Sequence, residues 1–349
     1  MNAMPDPQVL YAVTGVVVVG LVAWVVAVWT RRPEGARTAQ TAQASGAPAV
    51  ALAPSGGALA APPPSALRAD VAMRESAHSD VDVHVDDEDD QPTGPVALIL
   101  VTAVGRTDPG LRRKHNEDSY AILEDHHLFV IADGMGRHAA GEVASKLCVE
   151  VMGEAFAKNQ FADLTAQDGL PRRARQLRAS IQLANERILN EARMNDAYHG
   201  MGTTVVSAYF SPNNQRVYIG HVGDSRCYRL RDGKLKQLTN DHTLGAVGIQ
   251  GKSSNVLSRA VGVEEDVDVD VTMESPLPGD IYLLCSDGLS RMATDEEIGA
   301  ILAAETADLE EANKKLIDLA NSRGGRDNIT TILVRVDQPE RASLRAQRI

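Results

Sequence analysis

Cysteine is scarce in this chain. Cys148, Cys227 and Cys285 stand far apart inside apolar segments. They have no metal-ligand spacing and form no recognisable disulfide framework, so they read as reduced, packed thiols of a cytosolic domain. A basic stripe interleaved with aromatics is also missing, and the formal net charge is -12. That balance excludes nucleic acid as a partner. The spacing Gly136-x4-Gly141 brushes against the phosphate-binding P-loop, but Glu142 and Val143 stand where that motif needs Lys and Ser or Thr. A carboxylate there would repel phosphate, so the P-loop reading fails.

What is present falls into four stretches. Val9 to Trp29 carries no charge, and Arg31, Arg32 and Arg37 follow it. About 21 apolar residues are enough to span the roughly 30 Å hydrocarbon core of a bilayer. The region before it holds Asp6 and no Lys or Arg, unlike a cleaved signal. Residues 1–32 are therefore expected to be a transmembrane anchor. Positive charge on the far flank would keep the remainder of the chain cytoplasmic. Residues 33–95 are first rich in Ala, Pro, Ser, Gly and Thr, then acidic over Asp80–Asp90. They read as a flexible linker. Residues 96–337 have globular texture, and 338–349 form a short basic tail.

In the globular stretch, strands are expected at Ala97–Val104, Leu128–Ala132, Thr203–Phe210, Arg216–Val222, Ile281–Cys285 and Ile329–Val336. Asp232-Gly233 marks a hairpin between Arg226–Leu230 and Lys234–Leu238. Helical periodicity covers Glu142–Ala157, Arg173–Met194 and Leu309–Ser322, and a capping box opens another helix at Thr294. Long helices separate groups of successive strands. The expected class is α+β, two packed and largely antiparallel sheets flanked by helices.

The chain is organised around Leu128–Val143. An apolar run stops at Asp133-Gly134, and small residues lead into a helix. The same punctuation returns at Gly223-Asp224 and Asp287-Gly288, while Asn116-Glu117-Asp118 and Asp327-Asn328 lie beside other expected strands. Acids gathered at strand ends repel one another unless they are dispersed, protonated or neutralised by cations. With no His or Cys cluster among them, the donor set is all oxygen, which suits Mg²⁺ or Mn²⁺ rather than zinc. Pattern alone leaves open that each acid caps its own turn and the group never meets.

Nine short motifs carry a resemblance: GLRRKHNEDS at 110–119, IADGMG at 131–136, HAAGEVAS at 138–145, MGTTV at 201–205, HVGDSRCY at 221–228, DHTL at 241–244, LSRAVG at 257–262, LLCSDGL at 283–289 and GGRDNIT at 324–330. In this order they resemble the metal-dependent serine/threonine protein phosphatases (PPM, type 2C), especially the bacterial branch. The resemblance implies that Asp133 bridges two Mn²⁺ or Mg²⁺ ions, with the Gly134 carbonyl, Asp287 and Asp327 completing the pair. It implies that Asp118, with Glu117 beside it, holds water near the metals. Asp224 matches a residue that helps bind a third, weaker ion, and Arg113 matches the arginine that grips phosphate. Such a site activates water for in-line attack on phosphorus, and arginine's planar fork suits two phosphate oxygens. Arg112 is the neighbouring competitor. On an extended segment it should point the other way.

Three departures from the family pattern stand out. Met135 replaces a histidine proposed as general acid in eukaryotic relatives. Arg137 replaces a usual glycine and reads as a surface substitution, or as an extra substrate contact. The segment between Asp241 and Arg259, a flap beside the site in the family, is shorter than the bacterial pattern. The expected function is a membrane-anchored phosphatase acting on phosphoserine and phosphothreonine, partnered with a serine/threonine kinase and its substrates. A phosphatase-like binding module and a phosphatase of small metabolites are the alternatives.

Overall fold

A computed structural model describes residues 100–337, apart from 138–139, 162–168, 212–215 and 252. The expected membrane helix, the linker, the first residues of the Ala97–Val104 strand and the basic tail lie outside the described residues. Among the described residues no helix is long and apolar enough to cross a membrane.

Leu128–Met135 forms a strand, β3. Leu128, Val130 and Ala132 pack on one face and Phe129 and Ile131 on the other. A strand covered on both sides needs no polar alternation, which is why its sequence reads as one apolar run. Its neighbours in chain order are β1 (Leu100–Asp108), β2 (Asp118–Leu123), β4 (Gly202–Thr203), β5 (Val205–Phe210) and β6 (Val217–Val222). Then follow β7 (Arg226–Arg231), β8 (Lys234–Gln237), β9 (Asp270–Glu274), β10 (Ile281–Cys285) and β11 (Ile329–Asp337). One sheet has the order β1-β11-β10-β7-β8 and the other β2-β3-β5-β6-β9, with β4 attached to β3. All these pairings are antiparallel.

The sheets pack face to face. Phe129, Ile131, Phe210 and Ile219 from one meet Cys227, Tyr282, Leu284 and Val334 from the other. Phe210 stands edge-on to both Phe129 and Tyr282, at 5.9 and 5.5 Å between ring centroids. Each such buried ring contributes roughly 2–3 kcal/mol. Helices α1 (Ala140–Ala157) and α2 (Arg172–Met194) cover the outer face of the second sheet. Helices α4 (Asp295–Ala304) and α5 (Leu309–Ser322) cover the first, preceded by the single turn α3 (Asp287–Ser290). The result is the four-layered α+β sandwich that the pattern implies.

Local signals located most elements. Asp232 and Gly233 both take positive φ in the β7–β8 hairpin, at 50° and 72°. The capping box at Thr294 and Glu297 is formed. Two strands went unexpected. β2 and β9 are the edges of their sheet and only partly buried, so their sequences carry a weak apolar signal. The expected strand Thr203–Phe210 is interrupted at Thr204, whose hydroxyl is hydrogen-bonded to Ser225 at 2.7 Å and accepts from the Asp133 amide at 3.2 Å. That break holds the end of β3 in place.

Candidate active site

Along β3 the residues facing the opposite sheet are Phe129, Ile131 and, two further on, Asp133. The apolar interior thus ends in a carboxylate at one end of the sandwich. Asp118 lies directly across from Asp133 in the β2–β3 register. The other sheet delivers Asp287 where β10 turns into α3, and Asp327 just before β11. Asp224 sits in the turn between β6 and β7. Arg113 and Glu117 come from the loop between β1 and β2. These elements meet at one cavity of about 300 Å³, walled by Arg113, Glu117, Asp133, Gly134, Asp224, Asp287 and Asp327. All the expected site residues are brought together, with Asp118 buried behind the wall. The acids do meet, contrary to the reading in which each caps its own turn.

Gly134 has a steric reason to be glycine. A Cβ there would lie 2.0 Å from the Gly141 carbonyl oxygen and 2.6 Å from that of Glu117. The end of β3 therefore threads between the Glu117 loop and the start of α1, and the Gly134 amide donates to the Glu117 carbonyl at 3.0 Å. His242 supports the neighbouring turn in a similar way. Its Nδ1 accepts from the Gly223 amide at 3.1 Å, and its Nε2 lies 3.2 Å from Asp270. His242 and Asp270 thus hold the turn that carries Asp224, while His221 stacks on His242, bonds the Asn240 carbonyl through Nε2 and keeps a buried Nδ1 without a partner.

The arginines differ, though not for the expected reason. The segment is a turn, not extended: the Leu111 and Arg112 amides both donate to the Gly325 carbonyl, at 2.8 and 3.1 Å. Arg113 reaches the cavity and donates from Nη2 to Asp327 at 2.8 Å. Arg112 is exposed and does not line the cavity. Arg137 is likewise exposed and outside the lining. Met135 does line it, and a thioether has no proton to give.

Five carboxylates line the cavity against two arginines, Arg113 and Arg291. Burial, foremost, and then the neighbouring Asp118, Asp287, Asp327 and Asp224 hold the Asp133 carboxyl well above the ordinary range. Burial likewise pushes Asp118 up to about 6 and Asp287 up to about 7. Asp118 Oδ2 accepts from Ser286 at 2.9 Å and from Thr330 at 2.7 Å. Its Oδ1, and that of Asp287, are buried with no hydrogen-bond partner. Orphaned carboxylate oxygens among repelling acids are what a divalent cation neutralises, and an all-oxygen set suits Mn²⁺ or Mg²⁺. The residues fit the metals that the resemblance implies.

Sequence reasoning missed two residues here. Asn328 spends its whole amide on the Arg113 loop: Oδ1 accepts from the Glu117 amide at 2.8 Å, and Nδ2 donates to the Pro109 and His115 carbonyls at 3.0 and 2.9 Å. Arg291 bonds both Asp224 and Asp287. Its one available signal was the four-residue spacing after Asp287 at a helix start. The short 241–259 segment closes through a bridge between Thr243 and Leu257, and its returning limb adds Asn255 and Leu257 to the cavity wall.

Comparison with known proteins agrees with this geometry. The family model for protein phosphatase 2C matches residues 112–333. The serine/threonine phosphatase stp of Listeria monocytogenes is 39% identical over 246 residues, which cover 66% of this chain and 94% of the relative. The serine/threonine protein phosphatase PstP of Mycobacterium tuberculosis is 37% identical over 252 residues, 69% of this chain and 46% of PstP. Among solved structures, the catalytic domain of PstP in complex with two manganese ions superposes with a TM-score of 0.59. It is 35% identical, and the match covers 69% of this chain and all of that one. The chain therefore belongs to the protein phosphatase 2C family, as a metal-dependent phosphoprotein phosphatase of its bacterial branch.

Proposed function

We propose that this chain hydrolyses phosphoserine and phosphothreonine in proteins, reversing a serine/threonine kinase at the inner face of a membrane. The observation that carries the reading is the meeting of Asp133, Asp287, Asp327 and Arg113 at one cavity. Asp133, the Gly134 carbonyl, Asp287 and Asp327 would hold two Mn²⁺ or Mg²⁺ ions, which supply Lewis acidity and screen the phosphate charge. Asp118, opposite Asp133 in the register and with a buried, unpartnered Oδ1, would hold water near the metals, and Glu117 stands beside it at the cavity edge. Arg113, anchored through Nη2 by Asp327, presents its remaining N–H groups to the phosphate oxygens. Leaving-group protonation falls to solvent, because Met135 cannot supply a proton. Mn²⁺-dependent release of phosphate from a phosphothreonine peptide by the full chain tests this function. Turnover of small phosphate esters without turnover of the peptide would favour the metabolite reading.

Arg113→Ala should raise KM for phosphopeptide about tenfold or more, the equivalent of one charge-assisted hydrogen bond. Inhibition by free phosphate should weaken in parallel. Arg112→Ala should change neither. Steady-state kinetics on the two variants checks this, and equal effects from both would reject the phosphate-gripping role.

The membrane attachment rests on the uncharged run Val9–Trp29 and the flanking Arg31, Arg32 and Arg37. The protein should fractionate with membranes and resist protease added to intact spheroplasts. Digestion of the catalytic domain in intact spheroplasts, or its recovery as a soluble cleaved product, would overturn this part.

A further inference from the structure

Arg291 sits where the acid cluster is most crowded. It follows Asp287 by one helical turn, so the two side chains share a face of the chain segment. Its Nη2 lies 2.8 Å from Asp287 Oδ2 and 2.7 Å from Asp224 Oδ2. One nitrogen thus joins two carboxylates, Asp224 in the turn that leads into β7 and Asp287 at the end of β10, the strand paired with β7. Both acids are nearly buried, with side chains 7% and 11% exposed. Linking two buried carboxylates through one positive centre is the task of a bridging cation. Here a side chain performs it.

We infer that the Arg291 guanidinium takes the place of a third metal ion, so that this phosphatase carries two exchangeable ions and one built-in positive charge. The inference rests on the binuclear reading of the site. Asp287 divides its oxygens accordingly: Oδ2 meets Arg291, while Oδ1 is buried and unpartnered, left for the binuclear pair. Asp224 spends Oδ2 on Arg291 and reaches no other cation among the described residues. A guanidinium carries its charge at every working pH and cannot be diluted away. The Asp224 corner should therefore stay neutralised at metal concentrations that would leave a weak third site empty. Arg291 acts here as a positioning residue, through the two acids it joins.

The test counts Mn²⁺ on the chelator-stripped full chain in detergent, by isothermal titration calorimetry and by electron paramagnetic resonance of free Mn²⁺. The wild type should bind two ions. Arg291→Met, which keeps the stem and removes the charge, should gain a third that binds more weakly than the first two. Adding Asp224→Asn to that variant should abolish the gain, and Arg291→Lys should keep the count at two. Arg291→Gln serves in place of Arg291→Met if the latter does not fold. Three ions on the wild type, or two on the Met and Gln variants alike, would overturn the inference and leave the binuclear reading standing. Fewer than two ions on the wild type would instead overturn the binuclear reading, and this inference with it.

Discussion

Replacing Asp133 by Asn should lower kcat about 10³-fold or more while the folded structure survives, because the side chain is nearly the same size and loses only its charge. A loss of that size corresponds to roughly 4 kcal/mol of transition-state stabilisation, within the reach of a Lewis-acid centre. Asp133 lies at the junction of the two sheets, and Asp118, Asp287, Asp327 and Asp224 all act on its carboxyl. No other acid of the cluster could take over its position at the end of β3. The metal-free variant should melt no lower than the metal-free wild type, since a carboxyl whose ionisation burial and its neighbours oppose becomes a neutral amide. Asp224→Asn should be milder and leave binding of the first two ions intact. Turnover of a phosphothreonine peptide, with circular dichroism to verify folding, decides the matter. Near-normal activity in Asp133→Asn would end the binuclear reading.

Removing divalent cations should make the protein less stable as pH rises. Burial pushes Asp118 and Asp287 up to about 6 and about 7, whereas an unfolded chain holds aspartate near 3.9. Between those limits the folded state binds more protons than the unfolded state, so stability is lost as these acids ionise. The contribution is complete below the unfolded pKa and gone once pH exceeds the folded values. The Tm of chelator-treated protein should therefore fall by several degrees between about pH 5.5 and 8. Saturating Mn²⁺ should raise Tm most at the alkaline end, where the cations no longer compete with protons. Differential scanning calorimetry across that window checks both slopes. A metal-free Tm that rises or stays flat would mean that the acids ionise without mutual cost.

Much of the architecture was legible because its causes are local. The run Leu128–Ala132 reads as a strand buried on both faces, and β3 is such a strand. Leu309–Ser322 shows helical periodicity and is helical over that span. Asp232-Gly233 and the Thr294 capping box are decided within four residues, by backbone sterics and a pair of hydrogen bonds. The acids of the site were legible for another reason: each punctuates the end of an element, where a strand hands its last side chain to the sheet edge.

What those acids meet was decided only in three dimensions. Asp118 and Asp133 oppose each other because β2 pairs with β3 in one register, and β2 itself, a half-covered edge strand, has no strong pattern of its own. Arg113 and Arg112 part company at a turn bonded to Gly325, more than two hundred positions along the chain, a contact that no local alternation foretells. Asn328 clamps the same turn through carbonyls equally remote. Arg291 joins Asp224 to Asp287 only because β7 and β10, distant in the chain, pair with Arg226 opposite Cys285. The sequence by itself determined most of the segments that become strands and helices, and where carboxylates stand along them, since periodicity and capping act over a few residues. Tertiary structure alone decided which charges share a cavity, because that depends on sheet order and register, set by side-chain packing over the whole core.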